Sequence, residues 1–291
     1  MHVLLPSDRA GYVESCSQLQ ARAQAGSTKS VRALGCHIDH MVLTVIIPVY
    51  NEGATVAHVL DRVLAAPYPK QVIVVNDGST DDTDHALMPW QSHPDVELLH
   101  HARNRGKGAA IRTALARARG RFTLIRDADL EYDLGDYPRQ IEPLLCGEAQ
   151  GVYGSHYLGR GPGRHSWRLH RYGVAALNFC IQFLCGARLT DEATCYKGWP
   201  TSLLRAMELR CQRFEFCLEV TAKACRLGLT IHEVPIHYAA RTVKAGKKIG
   251  WKDGLEALAA LWKWRHWQPK LLPRQATRLA SRVIGPKRPQ Q

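Results

Sequence analysis

Two kinds of apolar pattern alternate along residues 42–125 and predict strands and helices in turn. Residues 42–49 form an unbroken run rich in β-branched side chains, which is typical of a strand buried on both faces. The next apolar positions recur at helical spacing and stop before Pro67; they are Val56, Val59, Leu60, Val63 and Leu64. Further strands are predicted at 71–75, 96–100 and 121–125, and a helix at 106–118. This alternation predicts an α/β fold in which helices flank a mostly parallel sheet.

The pattern divides the chain into four segments. Residues 1–40 show no sustained periodicity and are predicted to be a loose extension, whereas 41–240 form one α/β domain. A basic segment with an amphipathic helix at 253–267 spans 241–267, and a basic, disordered tail is predicted at 268–291. Within the domain, later helices are expected at 136–145, 167–185 and 215–227, and strands at 151–155, 230–234 and 236–240.

Polar clusters follow the first, second and fourth predicted strands: Tyr50-Asn51-Glu52, Asn76-Asp77-Gly78 and Asp127-Ala128-Asp129. The carboxyl ends of parallel strands meet at one edge of a sheet, and ligands collect there. In extended backbone Asp127, Asp129 and Glu131 share a face, which would let their carboxylates converge on one hard cation such as Mg²⁺ or Mn²⁺. An acidic turn after a buried strand is the alternative.

Positive charge is concentrated at the C-terminal end. Residues 241–291 hold 13 Lys and Arg but only Asp253 and Glu256, a net charge of +11, which leaves +2 for the first 240 residues. This asymmetry predicts an anionic partner: lipid headgroups, phosphate or nucleic acid. Four of the seven tryptophans lie in the same stretch, at positions 251, 262, 264 and 267. They suit either a membrane interface or a helix packed on the domain.

Other patterns narrow the function classes. The longest nearly uncharged stretch, 173–187, is shorter than the roughly 20 residues of a membrane-spanning helix, so no transmembrane segment is predicted. No secretory signal pattern is present, and nine cysteines without a C-x-x-C pair favour reduced thiols in a cytosolic chain. No dinucleotide-binding, P-loop, serine-hydrolase, zinc-protease or nucleic-acid-binding motif occurs. The glycine-rich start of the helix at 106 suits either an anion site or a structural turn.

Five motifs occur in an order that resembles the family 2 glycosyltransferases. They are Pro48-Val49-Tyr50-Asn51-Glu52, Asn76-Asp77-Gly78-Ser79, Asn104-Arg105-Gly106-Lys107-Gly108, Asp127-Ala128-Asp129-Leu130-Glu131 and the segment from Arg241 to Ile249. The chain is most similar to the dolichyl-phosphate mannosyltransferase branch, which includes bacterial polyprenyl-phosphate sugar transferases. The resemblance covers about residues 41–266. It implies a GT-A type fold with C-terminal amphipathic helices, a catalytic domain at 41–240 and a phosphate-binding loop within 241–267.

The resemblance also implies a set of site residues. The nucleoside of a sugar nucleotide would be held by Pro48, Tyr50, Glu52, Val75 and Asp77. The ribose and the metal-bound diphosphate would lie at Asp127, Ala128 and Asp129, with Glu131 as a further metal ligand. The remaining binding residues would be Lys107, His156, Arg241 and Lys247; Asp129, Arg241 and Lys247 are the predicted catalytic residues.

Three positions depart from the family pattern. Asn76 stands where a second aspartate is usual, His156 where an arginine is usual, and Cys217 where an acidic residue is common.

The implied reaction is a metal-dependent, inverting transfer of a sugar from GDP-mannose or a UDP-hexose to dolichyl or undecaprenyl phosphate. Such a phosphate is already ionised at neutral pH, so it needs cations rather than a strong base; Arg168 and Arg171 are further candidates for this role. A hydroxyl acceptor is the alternative and would need a general base near Asp191, Glu192 or Glu219. The expected location is peripheral, on the cytoplasmic face of an anionic membrane. The resemblance leaves open a separate partner subunit that anchors the chain to the membrane.

Overall fold

The computed structural model describes residues 42–131, 134–158, 168–237, 251–270 and 273–284. Its strands are β1 (Leu43–Val49), β2 (Lys70–Asn76), β3 (Val96–His100), β4 (Phe122–Ile125), β5 (Gly151–Ser155), β6 (Lys197–Pro200) and β7 (Ile231–Pro235). Its α-helices are α1 (Val56–Ala65), α2 (Thr83–Leu87), α3 (Lys107–Arg117), α4 (Tyr137–Leu145), α5 (Arg168–Cys185), α6 (Thr201–Ala206), α7 (Phe216–Arg226), α8 (Trp251–Trp264) and α9 (Pro273–Ile284). Short 3₁₀ turns lie at Met88–Trp90 and Leu134–Asp136.

The seven strands form one sheet in the order β3-β2-β1-β4-β6-β5-β7. Strand β6 runs antiparallel to both of its neighbours, β4 and β5, and the other pairs are parallel. The carboxyl ends of β1, β2, β4 and β5 therefore lie along the same edge. The predicted α/β fold with a mostly parallel sheet is confirmed.

The core lies where the sequence is most β-branched. All seven residues of β2 are buried, and β1 is buried except for the half-buried Pro48. On α1, Val56, Val59, Leu60 and Val63 pack into this core, as their helical spacing predicts. Burying such a side chain stabilises the fold by about 1.5–3 kcal/mol, so these elements hold the sheet edge in place.

Three expectations need correction. The short antiparallel strand β6 was not predicted. Strand β7 forms at the first of the two predicted strands, 230–234; of the second, 236–240, residues 236 and 237 are not in a strand and 238–240 lie outside the described residues. The predicted disordered tail contains α9, because Ala276 and Ala280, one helical turn apart, are fully buried while Arg274 and Arg278 stay exposed. The predicted loose extension, 1–40, also lies outside the described residues.

The tryptophans of α8 do not share one environment. Trp264 is buried: its indole N–H donates to Cys211 Sγ (3.4 Å), and Lys223 Nζ lies 3.9 Å from its ring centroid. Trp262 is 61% exposed and stacks under Arg265. The buried Trp264 fits the alternative of a helix packed on the domain, whereas Trp262 is left exposed. Within the described ranges, no helix has the length and hydropathy required to span a bilayer.

Candidate active site

The loops that follow β1, β2 and β4 meet at one edge of the sheet, as their sequence predicts. The backbone N–H of Asn51 donates to Ser79 Oγ (2.9 Å), which joins the loop after β1 to the turn after β2. Thr55 Oγ1 lies 2.9 Å from Glu52 Oε2 and 2.9 Å from the carbonyl oxygen of Ala128. The Thr55 hydroxyl therefore links the loop after β1 to the acidic segment after β4.

The predicted nucleoside-binding residues lie on this edge, but two are enclosed by protein. Pro48 and Val75 are paired in the β1–β2 register, and the Val75 side chain is fully buried. Tyr50 and Glu52 are half-buried. The Asp77 side chain is 4% exposed, and its oxygens accept hydrogen bonds from His101 Nδ1 (2.5 Å) and from the backbone N–H groups of Arg105 (3.0 Å) and Gly106 (2.7 Å).

Asp77 therefore fastens the start of α3 to the end of β2. Gly106 has φ +94°, and a Cβ there would lie 2.5 Å from the carbonyl oxygen of Gln212, so only glycine fits. The N–H of Ala109 donates to the same carbonyl (3.0 Å). Of the two interpretations of this glycine-rich segment, the structure favours the structural turn.

Lys107 forms an ion pair with Asp127, a contact between residues 20 positions apart that the sequence analysis missed. The two side chains are 9% and 22% exposed. Burial alone would lower the pKa of Lys107, but the Asp127 carboxylate more than offsets burial and holds this pKa above its usual range. Lys107 thus remains charged and neutralises part of the negative charge of the acidic segment.

The acidic segment does not continue the strand as the sequence analysis assumed. Strand β4 ends at Ile125, and the backbone bends at 128–131, so alternation along an extended strand does not align the three carboxylates. Asp129 Oδ1 accepts from the N–H of Glu131 (3.3 Å). In the part of the chain that the structure describes, no three His, Cys, Asp or Glu side chains form a metal-ligand cluster. Asp129 and Glu131 still provide the carboxylate oxygens that Mg²⁺ and Mn²⁺ prefer.

His156 follows β5 and contacts a buried carboxylate. Its Nδ1 lies 2.5 Å from Asp191 Oδ2, and its backbone N–H donates to the same oxygen (3.2 Å). Asp191 is fully buried, whereas the imidazole is 18% exposed. The two residues meet because β5 and the loop before β6 end side by side. No local sequence signal indicates this pair.

The three carboxylates predicted as bases for a hydroxyl acceptor are all fully buried, and Asp191 is the one that contacts His156. Glu192 accepts from Thr221 Oγ1 (2.8 Å) and lies 3.5 Å from Lys197 Nζ, and burial raises the pKa of Glu192 to about 8. Glu219 pairs with Lys223 Nζ (2.6 Å) and also accepts backbone N–H groups from residues 210 and 211. Both glutamates are fully buried. They act as structural groups in the core and do not line the sheet edge.

Arg241 and Lys247 lie outside the described residues, and so do the side chains of Arg168 and Arg171, whose backbone forms the start of α5. The described residue nearest to Arg241 along the chain is His237, whose N–H donates to Asp136 Oδ2 (2.6 Å).

Comparison with known proteins places this site in a family context. The family model described as glycosyl transferase family 2 matches residues 44–207. An undecaprenyl-phosphate mannosyltransferase from Micrococcus luteus is 31% identical over 77% of this chain and 93% of its own length. A dolichyl-phosphate β-glucosyltransferase from Dictyostelium discoideum is 24% identical over 69% of this chain and 67% of its own.

The fold has solved counterparts. Glucosyl-3-phosphoglycerate synthase from Mycobacterium tuberculosis, solved with Mn²⁺, UDP and glucosyl-3-phosphoglycerate, aligns with a TM-score of 0.60 at 20% identity. The alignment covers 92% of this chain and 88% of the synthase. The predicted GT-A type architecture is confirmed. At this identity the likeness supports the fold alone, so the bound metal and nucleotide are findings on the synthase.

Proposed function

This chain is a glycosyltransferase that belongs to glycosyl transferase family 2, and on that premise we propose that it moves a hexose from a nucleotide diphosphate sugar to a polyprenyl phosphate. The observation that favours a phosphate over a hydroxyl acceptor is the full burial of Asp191, Glu192 and Glu219, the three carboxylates predicted as bases. A hydroxyl needs a base to remove its proton. A phosphate monoester, whose second pKa is about 6, is already an anion at neutral pH and needs no base.

On the donor side, meaning the edge formed by β1, β2 and β4, we assign the nucleoside to the loops after β1 and β2. The diphosphate would lie at the acidic segment. Asp129 and Glu131, with Asp127, would hold Mg²⁺ or Mn²⁺, which when bound stabilises negative charge on the leaving diphosphate. Lys107 limits the charge of the segment by pairing with Asp127, so the site can accept an anion without excess repulsion.

On the acceptor side, meaning the edge formed by β5 and β7, the lipid phosphate would approach the anomeric carbon. An oxygen of the phosphate forms the new bond to this carbon while the bond to the diphosphate breaks, and the nucleoside diphosphate leaves with the electron pair. Direct displacement inverts the anomeric configuration. Catalysis of such a step depends chiefly on bringing two anions together in the right orientation, for which cationic side chains are needed.

Arg241 and Lys247 are the proposed cations. Asp136, which follows Glu131 by five residues, holds the N–H of His237 at the end of the described chain after β7. Arg241 is four residues further on, a distance of no more than about 14 Å of extended chain. Connectivity therefore keeps Arg241 within about 14 Å of His237, on the side of the sheet edge where Asp136 binds it.

Exposed apolar side chains on two helices suit the lipid part of the acceptor, and together we call them the apolar face: Phe179 (68% exposed) and Phe183 (80%) on α5, and Leu258 (39%) and Trp262 (61%) on α8. The residues of each pair are four positions apart, and α5 and α8 are in contact. We propose that this face rests on a membrane surface, with the basic C-terminal segment near anionic headgroups.

Vesicle flotation tests this membrane contact. Replacing Phe183 and Trp262 together by Ser should shift most of the protein from anionic vesicles to the unbound fraction, because two interfacial aromatic anchors are lost. Met88, 57% exposed and outside the face, provides the matched control, and Met88→Ser should float like the unmodified protein. Equal flotation of the double variant and the control would contradict the proposal.

The reaction itself is tested by incubating the purified protein with Mg²⁺ or Mn²⁺, undecaprenyl or dolichyl phosphate, and a panel of GDP- and UDP-sugars. Release of one nucleoside diphosphate that requires both the lipid and the metal is the expected result. Turnover with hydroxyl acceptors and none with any polyprenyl phosphate would overturn the proposed acceptor and favour the alternative.

A further inference from the structure

The segment between α6 and α7 contacts two other helices, and we call residues 210–214 the bridging loop. Its backbone is held by two carboxylates: Glu219 accepts from the N–H groups of residues 210 and 211, and Glu215 from those of residues 212 and 213, at 2.7 to 3.1 Å. Hydrogen bonds to a charged acceptor are stronger than those between neutral groups. Four consecutive N–H groups therefore fix the conformation of the bridging loop.

Helix α8 contacts the bridging loop through Trp264. The indole N–H donates to Cys211 Sγ (3.4 Å). The ring centroid lies 3.9 Å from Lys223 Nζ, and this ammonium group pairs with Glu219 (2.6 Å), one of the two carboxylates that hold the loop. Trp264, Lys223 and Glu219 are all buried. Trp264 therefore supports the loop directly and through the ion pair of Lys223 with Glu219.

The bridging loop also packs against the first turn of α3. The carbonyl oxygen of Gln212 accepts from the N–H of Ala109 (3.0 Å). A Cβ at Gly108 would lie 2.5 Å from the carbonyl oxygen of Cys211, just as a Cβ at Gly106 would from that of Gln212. The two glycines thus admit the backbone of the loop at a distance that no side chain allows. The position of the loop and the position of this turn therefore depend on each other.

Lys107 lies between these two glycines. Its ammonium group pairs with Asp127 and is 5.7 Å from the ring centroid of Phe214, the last residue of the bridging loop. Both the backbone and the side chain of Lys107 are thus next to the loop. A displaced loop would move Lys107 relative to Asp127 and leave more of the negative charge of the acidic segment uncompensated, which disfavours a bound diphosphate.

We propose that Trp264 is a positioning residue for the donor side, acting through the bridging loop to hold Lys107 against Asp127. This inference rests on the proposed function, because it adds a helix of the C-terminal segment to the donor side defined there. It predicts that the affinity for the nucleotide, rather than for the acceptor, depends on Trp264.

Calorimetric titration of the protein with UDP and with GDP at saturating Mn²⁺ tests the inference. Trp264→Leu should weaken the affinity for the nucleotide that the wild type binds by about threefold to tenfold, because the loop loses its contact with α8. In a Lys107→Met background the same substitution should change this affinity by less than about twofold, since its effect passes through Lys107. Trp90 is a half-buried tryptophan of the 3₁₀ turn Met88–Trp90, and Trp90→Leu, the matched control, should bind like the wild type.

Steady-state kinetics separates positioning from a general loss of stability. Trp264→Leu should raise KM for the nucleotide sugar by the same factor and leave KM for undecaprenyl phosphate nearly unchanged, because the bridging loop contacts the donor side. A variant that had only lost stability would contain fewer active molecules, so kcat would fall while both KM values stayed the same.

The outcomes separate the two proposals. A wild-type chain that binds neither nucleotide in the presence of Mn²⁺ would overturn the proposed function, and the inference with it. A wild-type chain that binds one of them, with a Trp264→Leu variant that binds it equally tightly, would overturn the inference alone. The same holds if Trp264→Leu weakens the affinity as much in the Lys107→Met background as it does alone.

A milder variant decides the case in which Trp264→Leu does not fold. Trp264→Phe keeps an aromatic ring beside Lys223 and removes only the N–H that is given to Cys211 Sγ. Its affinity for the nucleotide should fall by about twofold, because this hydrogen bond is weak. A wild-type affinity in Trp264→Phe would contradict the proposal.

Discussion

The half of the sheet formed by β1 to β4 and the half formed by β5 to β7 hold their polar residues by different means. In the first half, backbone N–H groups of short turns take part, as those of Arg105 and Gly106 do by donating to Asp77 beside His101 Nδ1. In the second half, side chains hold side chains, as Asp191 holds His156 across 35 positions and Glu192 holds Thr221 across 29.

This difference has a functional consequence. A turn that binds a carboxylate through backbone N–H groups depends on backbone conformation and a few glycines, so it appears as a short motif. A side-chain network depends on residues that can change in a correlated way. We infer that the first half is suited to a constant ligand, the nucleotide diphosphate, and the second to an acceptor that varies between relatives.

The largest expected effect belongs to the first half. Asp129→Asn should lower kcat by about 10²–10³-fold, because an amide oxygen is a weaker ligand for Mg²⁺ or Mn²⁺ and stabilises the leaving diphosphate less. The midpoint of thermal unfolding should stay within a few degrees of wild type. Asp61→Asn on the exposed side of α1 is the matched control. A wild-type rate in Asp129→Asn would contradict the metal role. Measuring kcat at increasing concentrations of Mg²⁺ or Mn²⁺ shows whether the loss comes from weaker metal binding.

A second large effect should appear in stability. Lys107→Met leaves Asp127 without its ion-pair partner at a site where the lysine is 9% exposed, and this should cost about 3 kcal/mol in the free energy of unfolding. Lys107→Arg keeps the charge and should cost less. Denaturant titration measures both. Equal losses in the two variants would show that packing, rather than charge, determines the role of Lys107.

The two halves also differ in how far sequence alone predicts them. The strands β1 to β4 and their polar ends follow from β-branched runs and turn residues, which act locally. Strand β6 has only four residues, Lys197–Pro200, and pairs antiparallel with β4 across more than 70 positions, so no local pattern specifies it. For the same reason, no local pattern predicts the contacts of Thr55 with Ala128 and of Lys107 with Asp127. The prediction that Asp127, Asp129 and Glu131 share one face of an extended strand was wrong because β4 ends at Ile125, before the acidic segment begins.

A pH-dependent effect should come from the second half. Burial raises the pKa of Glu192 from its ordinary 4.5 to about 8, so the folded state holds this proton more tightly than the unfolded state. The stabilisation is complete below the unfolded pKa and is lost as the pH rises through about 8. Glu192→Gln removes this dependence. The difference in unfolding free energy between wild type and variant should change by a few kcal/mol between about pH 5 and 9. If the unfolding free energies of wild type and Glu192→Gln changed with pH in the same way, the raised pKa of Glu192 would be contradicted.

The smallest expected effect returns to the first half, at a position where this chain departs from the family pattern. Asn76 is buried, and its amide donates to Asp84 Oδ1 (2.6 Å), while its oxygen accepts from the N–H of Ser79 (3.0 Å). Asn76→Asp keeps the second contact but places a like charge against Asp84. Since the Asp84 side chain is 65% exposed, solvent weakens the repulsion, and the expected loss is about 1 kcal/mol.

The double variant identifies the cause of that loss. Asp84→Asn restores a donor opposite the new carboxylate, so Asn76→Asp combined with Asp84→Asn should recover most of the stability in denaturant titration. Recovery would mean that Asn76 and Asp84 act as a pair, a further side-chain contact of the first half beside that of Lys107 with Asp127. An undiminished loss in the double variant would instead place the cost in the turn backbone, as the contrast between the two halves predicts.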